Sequence, residues 1–242
     1  MGKDNEEKKI QIGINTAQSD IAVIGGIAQF KIPFNYKIIG LDLTGSEKKA
    51  SGWAFLQDGH VSTKRIKTDA AIIAEIIHLN PSLVSIDCPL SLPKGRIRVG
   101  DDDPGRYQFG ITRECERLLL KRGIRSYPPL IKSMQQLTQR GITLAQSIRN
   151  LGFTVIESYP GGAQDILGLP RKQKDLQALI AGLKTFGIQG SYDGPGIVHD
   201  EIDAITCCLV GLCYLSGHFE ALGNQDEGYL IVPDLKRQQY KS

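Results

Sequence analysis

Long apolar runs are missing from this chain. The longest near the start, Ile21 to Phe30, falls well short of the roughly 20 residues that a spanning helix needs, so no membrane role is expected. Histidine is scarce as well. The four present, His60, His78, His199 and His218, do not cluster in sequence, and only His199 is kept as a candidate for chemistry. The five cysteines, Cys88, Cys115, Cys207, Cys208 and Cys213, match no zinc spacing, and an odd number cannot complete a disulfide framework. Three of them lie in an apolar stretch, where free cysteine behaves as a small hydrophobe. The charged stretch from Lys3 to Lys9 mixes acids with bases, unlike a secretory leader. The expected home is a reducing cytoplasm.

A large excess of charge is also lacking, since the net charge is only +3. The total therefore selects no partner, and the distribution says more. Lys94, Arg96, Arg98, Arg106, Arg113, Arg117, Lys121, Arg122, Arg125 and Lys132 fall in one stretch. Such a stretch is either a phosphate-facing surface or a solvated helix and loop face.

What is present suits one folded unit. A chain of 242 residues, 41% of them hydrophobic, can bury a substantial core. Residues 1–36 sit apart as an N-terminal arm or extra hairpin with no recognisable chemistry. From residue 37 the pattern sharpens. Lys37–Leu43 is an apolar run of strand length closed by Thr44, Gly45 and Ser46. Gly52–Gln57 reads as a second strand, Asp58-Gly59 as a hairpin turn, and His60–Lys67 as a third strand. Asp69 is a candidate N-cap for a helix over Ala70–Leu79. Leu83–Asp87 and Thr154–Ser158 read as further strands. Helices are expected around Thr112–Arg122, Ser133–Leu151, Lys172–Phe186 and His199–Gly217, with a small edge strand over Glu227–Pro233. The order predicts an α/β domain over 37–242: a mixed five-stranded sheet, three antiparallel strands then two parallel, flanked by helices.

Within this pattern the carboxylates stand out. Asp42 sits inside an otherwise apolar strand, and Asp87 ends a second one. Burying a lone carboxylate costs several kcal/mol unless it is paired or holds a metal. Taken singly, each has a plain structural explanation: Asp42 capping the Thr44-Gly45 turn, Asp87 bonding loop amides before Pro89. As a pair they point elsewhere, because adjacent strands lie about 4.8 Å apart. Two unit charges 4 Å apart repel by about 4 kcal/mol at an effective dielectric near 20. Oxygen ligands without histidine or cysteine favour Mg²⁺ or Mn²⁺. Asp200 and Asp203, spaced i to i+3 at the head of the last long helix, can face the sheet together. Helix-dipole complementation accounts for Asp200 and Glu201 but poorly for Asp203, which enters the apolar stretch Ala204–Leu215. Glu157, ending a later strand, is a candidate for a second metal or an outer position. Trp53 and Tyr159 read as packing residues.

Taken in order, Gly40–Gly45 (GLDLTG) with Gly52-Trp53-Ala54, Ser85–Pro93 (SIDCPLSLP), Arg113–Arg117 (RECER), Val155–Pro160 (VIESYP), His199–Ala204 (HDEIDA) and Glu227–Pro233 (EGYLIVP) resemble the domain-of-unknown-function 429 family. Its members are predicted nucleases of the ribonuclease H-like superfamily, and the HDEIDA helix start is similar to that of RuvC-type resolvases. The resemblance implies a ribonuclease H-like fold with Asp42 and Asp87 as strand ligands, Asp203 with Asp200 as last-helix ligands, and Glu157 as a further acid. Arg113 and Glu116 match a paired basic and acidic position. The expected activity is phosphodiester hydrolysis with two divalent cations, Asp42, Asp87 and Asp203 being catalytic and Arg113, Lys172 and Lys174 touching a DNA or RNA backbone. The rivals are a non-catalytic nucleic-acid-binding module and a phosphohydrolase acting on a small phosphate ester. Whether the chain forms a homodimer is left open.

Overall fold

The structure is a computed structural model that describes residues 22–24, 27–29, 36–194 and 196–236. Of the N-terminal arm, only Tyr36 and an antiparallel pair, β1 (Ala22–Ile24) and β2 (Ile27–Gln29), fall among the described residues. The rest of the arm lies outside them.

The main sheet grows from the apolar runs. β3 (Ile38–Asp42), β4 (Ser51–Gln57) and β5 (His60–Ile66) are antiparallel neighbours. Asp58 and Gly59, at φ 51° and 76°, make the tight β4–β5 turn, a conformation that suits an Asp-Gly pair. Helix α1 (Asp69–Leu79) carries the chain to β6 (Leu83–Asp87), which lies parallel to β3. The N-cap of α1 is Thr68, not Asp69: the Thr68 hydroxyl accepts from Ala71 N at 3.2 Å, while Asp69 receives the Arg140 guanidinium. A long loop leads to α2 (Glu114–Lys121) and α3 (Gln135–Asn150), then to β7 (Val155–Ser158), parallel to β6. Helices α4 (Pro160–Ile166), α5 (Leu176–Thr185) and α6 (His199–Leu215) follow, and the hairpin of β8 (Phe219–Asn224) and β9 (Gly228–Pro233) closes the sheet.

The strand order is β5-β4-β3-β6-β7-β9-β8. The molecule is thus an α/β fold with an open mixed sheet flanked by helices, but the sheet has seven strands rather than the expected five. The difference lies at one end. β9 does not close the sheet as an edge; it pairs parallel with β7 and is itself covered by β8. The sequence of β8 lacks the alternation that marks a strand: apart from exposed Ala221 and buried Leu222 its residues are half-buried.

Strand alternation decides which side chains face which helices. Ile39 and Leu41 of β3 pack with Val84 and Ile86 of β6 beneath α1 and α3. Ile38 points the other way, against α5 and α6. By the same period Gly40 and Asp42 also face α6, as do Ser85 and Asp87 on β6. Helix α6 is buried almost all round, as its continuous apolar stretch requires.

Glycines let it lie directly on the sheet. A Cβ at Gly40 would stand 2.0 Å from the Ala204 carbonyl oxygen, and one at Gly52 would stand 2.0 Å from that of Asp200. Only hydrogen fits at these two points. The close approach brings the acidic head of α6 to the carboxyl end of β3. All five cysteines are free and buried, among them Cys207, Cys208 and Cys213, which the sequence marks as small apolar residues. No helix among the described residues is long and apolar enough to cross a membrane.

Candidate metal centre

Asp42 and Asp87 are register partners at the carboxyl ends of parallel β3 and β6. Both side chains fall on the face covered by α6, and Asp203 descends from that helix to meet them. One carboxylate oxygen from each of the three lies within 4.8 Å of the others. That spread is one that a hard divalent ion with oxygen bonds of about 2.0–2.6 Å can span. Ligands offered this way, from two strands and a buried helix, rest on rigid elements rather than on mobile loops.

The plain structural explanations for the two strand acids find no support in the hydrogen bonds. Among the described residues neither the Asp42 nor the Asp87 carboxylate accepts a hydrogen bond. The turn after β3 is held instead by Thr44 and Ser51, with Thr44 N donating to the Ser51 hydroxyl at 3.1 Å. The loop amide after β6, Leu90 N, donates to Glu157 at 2.7 Å. Two partly buried carboxylates without donors, side by side, are costly in the ionised form. Burial first, then Asp203 and Asp200, pushes the Asp42 carboxyl up to about 8 against the partial relief given by Lys172. Burial likewise raises Asp87 well above the carboxylate range, helped by Asp42 and Asp203. Asp203 is raised mainly by burial, with Lys172 and Gln164 opposing the rise.

Asp203 is the best supported of the three. Gln164 of α4 donates to its Oδ1 at 3.2 Å and to the Thr206 hydroxyl at 3.2 Å. The Lys172 ammonium sits on its Oδ2. Lys172 lies in the α4–α5 turn, which is pinned on one side by the Arg171–Asp165 pair at 2.5–3.0 Å. On the other side Asp175 caps α5 by accepting Ala178 N at 2.9 Å. The helix expected from Lys172 therefore begins only at Leu176, and Lys172 is free to point at the acids. Lys174 is exposed on the same turn. Asp200, one turn back on α6, adds repulsion on Asp42 without joining the closest set.

Glu157 is not part of this group. It is 6% exposed, and both of its oxygens are taken by Arg113, Oε1 from Nη2 at 2.5 Å and Oε2 from Nη1 at 2.8 Å. Arg113, itself 1% exposed, also binds Glu116, from Nη2 at 2.6 Å, and the Ser91 hydroxyl at 2.7 Å. Its five donors are spent inside the protein. Arg113, expected on a substrate backbone, and Glu157, expected as a metal ligand, are paired with each other on the cleft wall, and Glu157 groups with Cys115 and Glu116 rather than with the three aspartates. The cluster ties the start of α2 to β7 and to the loop after β6.

A cleft of about 170 Å³ joins the two groups. Asp42 and Asp87 lie at one part of its wall, Arg113 and Glu157 at another, and Leu137, Met134 and Tyr127 form an apolar side. The basic stretch over 94–132, open between a phosphate-facing surface and a solvated face, pairs many of its charges with acids of the chain. Lys94 pairs with Asp226, Arg98 with Asp102, Arg106 with Asp101 and Arg122 with Glu220. Trp53 is a core residue, as its apolar strand implies, and His199 is exposed at the α6 start.

No family model matches the chain, and neither the curated proteins nor the solved structures contain a match to it.

Proposed function

We propose that the chain is a divalent-cation-dependent nuclease of ribonuclease H-like architecture. The observation that carries this reading is the convergence of Asp42, Asp87 and Asp203, two of them without a hydrogen-bond donor among the described residues, on one face of the sheet. The strand order supports the architecture: an antiparallel trio, then parallel strands inserted beside its first member, with an acidic helix laid across them. The resemblance of the ordered motifs to predicted nucleases points the same way.

The donor set is all carboxylate oxygen, which suits Mg²⁺ or Mn²⁺ rather than zinc. Such an ion lowers the pKa of bound water and stabilises charge on a phosphoryl oxygen. The chain's own residues do the rest. Asp42 and Asp87, fixed by strand register, hold two oxygens at a set separation. Gln164 fixes the plane of the Asp203 carboxylate, so this ligand needs little reordering. The buried Arg113 cluster keeps the Glu157 charge neutralised, which prevents it from competing for the cation.

The cleft favours one second reading. Its apolar side, with Leu137, Met134 and Tyr127, is also compatible with a small phosphate ester. The discriminating experiment is cleavage of labelled single- and double-stranded DNA and RNA with Mn²⁺, set beside small phosphate esters. The nuclease reading expects metal-dependent cleavage of nucleic acid that Asp42→Asn abolishes. Turnover of small esters alone would favour the second reading. Full Mn²⁺-dependent nucleic-acid cleavage by Asp42→Asn would remove the assignment altogether.

A further inference from the structure

We infer that Lys172 supplies the second positive charge of the site, so that the chain works with one divalent ion and one ammonium rather than with two metal ions. This rests on the metal-centre reading above and refines it.

Three observations lead there. First, the other acids on the cleft wall already have a cation of the chain as partner. The further acid that the sequence offers, Glu157, has both oxygens bound by Arg113 and one also by Leu90 N. Glu116, the remaining acid on the cleft wall, is bound by Arg113 as well. Asp42, Asp87 and Asp203 are thus the group whose charge Arg113 does not offset, with Asp200 behind them.

Second, the acidic group already contains a cation that is part of the chain. The Lys172 ammonium is ion-paired with Asp203, with the two side chains only 16% and 11% exposed. Its attraction also reaches Asp42 and Asp87. Three carboxylates are neutralised by one divalent ion together with one ammonium, whereas a second divalent ion would leave an excess of positive charge before any substrate arrives.

Third, Lys172 is held in place rather than swept in from solvent. The Arg171–Asp165 pair anchors the preceding residue, Lys174 N and Asp175 N both donate to the Arg171 carbonyl at 2.8 and 3.2 Å, and Asp175 caps the next helix. A lysine on a fixed turn pairs without the backbone ordering that a mobile loop would need. Gln164 completes the arrangement by occupying the other oxygen of Asp203, so that the Lys172–Asp203 pair has a defined orientation.

Lys172 is therefore a positioning and charge-supplying residue, and its role is separable from mere support of the turn. The test is titration of the metal-free protein with Mn²⁺, by calorimetry and by electron paramagnetic resonance of the free ion, for the native chain, Lys172→Met and Lys172→Arg. The native chain is expected to take up one Mn²⁺. Lys172→Met, which keeps the length but loses the charge, should bind Mn²⁺ at least tenfold more tightly or admit a second ion, while cleavage falls. Lys172→Arg should restore one ion at near-native affinity, which no purely structural loss would predict. Two ions on the native chain with intact Asp42-dependent cleavage would overturn the lysine proposal and leave the nuclease reading standing. Unchanged Mn²⁺ affinity and number in Lys172→Met would overturn it in the same way. Absence of Mn²⁺ binding in all three chains would overturn both.

Discussion

Replacing Asp42 by Asn should make the metal-free protein more stable while removing its response to metal. The native Asp42 carboxyl is pushed up to about 8 by burial and by Asp203, from a reference near 3.8. Between these values the folded state holds a proton that the unfolded chain has released. Stability from this group is therefore present below about pH 4 and is lost as pH rises towards 8, at up to about 1.4 kcal/mol per unit. At pH 7 the accumulated penalty has an upper bound of about 4 kcal/mol by the same linkage. Asp42 lies at a partly solvated cleft wall, and water reduces the effect, so a gain of about 1–2 kcal/mol is expected from the neutral amide. Urea denaturation with a chelator present, at pH 5, 7 and 8.5, measures it. The gain should be smallest at pH 5 and largest at pH 8.5. Added Mn²⁺ should then stabilise the native chain and leave Asp42→Asn unmoved. A loss of about 1 kcal/mol at every pH, as removal of a capping carboxylate would give, would refute the reasoning.

Other perturbations act through packing and buried charge. Gly52→Ala places a Cβ 2.0 Å from the Asp200 carbonyl oxygen. It should cost about 1–3 kcal/mol in urea denaturation and weaken Mn²⁺ binding together with stability, because the head of α6 must lift from the sheet. Arg113→Met strips both Glu116 and Glu157 of their buried partner and should cost about 3–5 kcal/mol. Adding Glu157→Gln and Glu116→Gln to that variant should recover a large part of the loss, read as a shift of the denaturation midpoint.

Much of the fold could be read from residue pattern because the central strands announce themselves. Lys37–Leu43 and Leu83–Asp87 are apolar runs with one acid at matching ends, and Asp58-Gly59 marks the hairpin between β4 and β5. The elements that escaped had misleading chemistry. Helix α4 opens with Pro160-Gly161-Gly162, which reads as a turn, yet proline is accommodated in the first turn of a helix. Strand β8 has too few buried positions to show a period, and its place at the edge comes from pairing with β9.

The candidate site divides along the same line. A charged residue in an apolar strand is a local anomaly, so Asp42 and Asp87 were visible, and Asp203 was visible as an acid entering an apolar helix. Arg113 and Glu157 are 44 residues apart in sequence, and nothing near either one shows that they spend their charges on each other. Gln164 carried no signal. The helical pattern from Lys172 to Phe186 puts Lys172 on a helix, and its charge suits a substrate backbone. The N-cap residue Asp175 was the sign that the helix starts later and that Lys172 belongs to a turn.

The most direct measurement is an anomalous-scattering map from crystals of the protein grown with Mn²⁺. The account predicts a peak within about 2.0–2.4 Å of carboxylate oxygens of Asp42, Asp87 and Asp203, with the Lys172 ammonium beside it. Bound Mn²⁺ elsewhere on the molecule, with these three side chains turned to other partners, would contradict it.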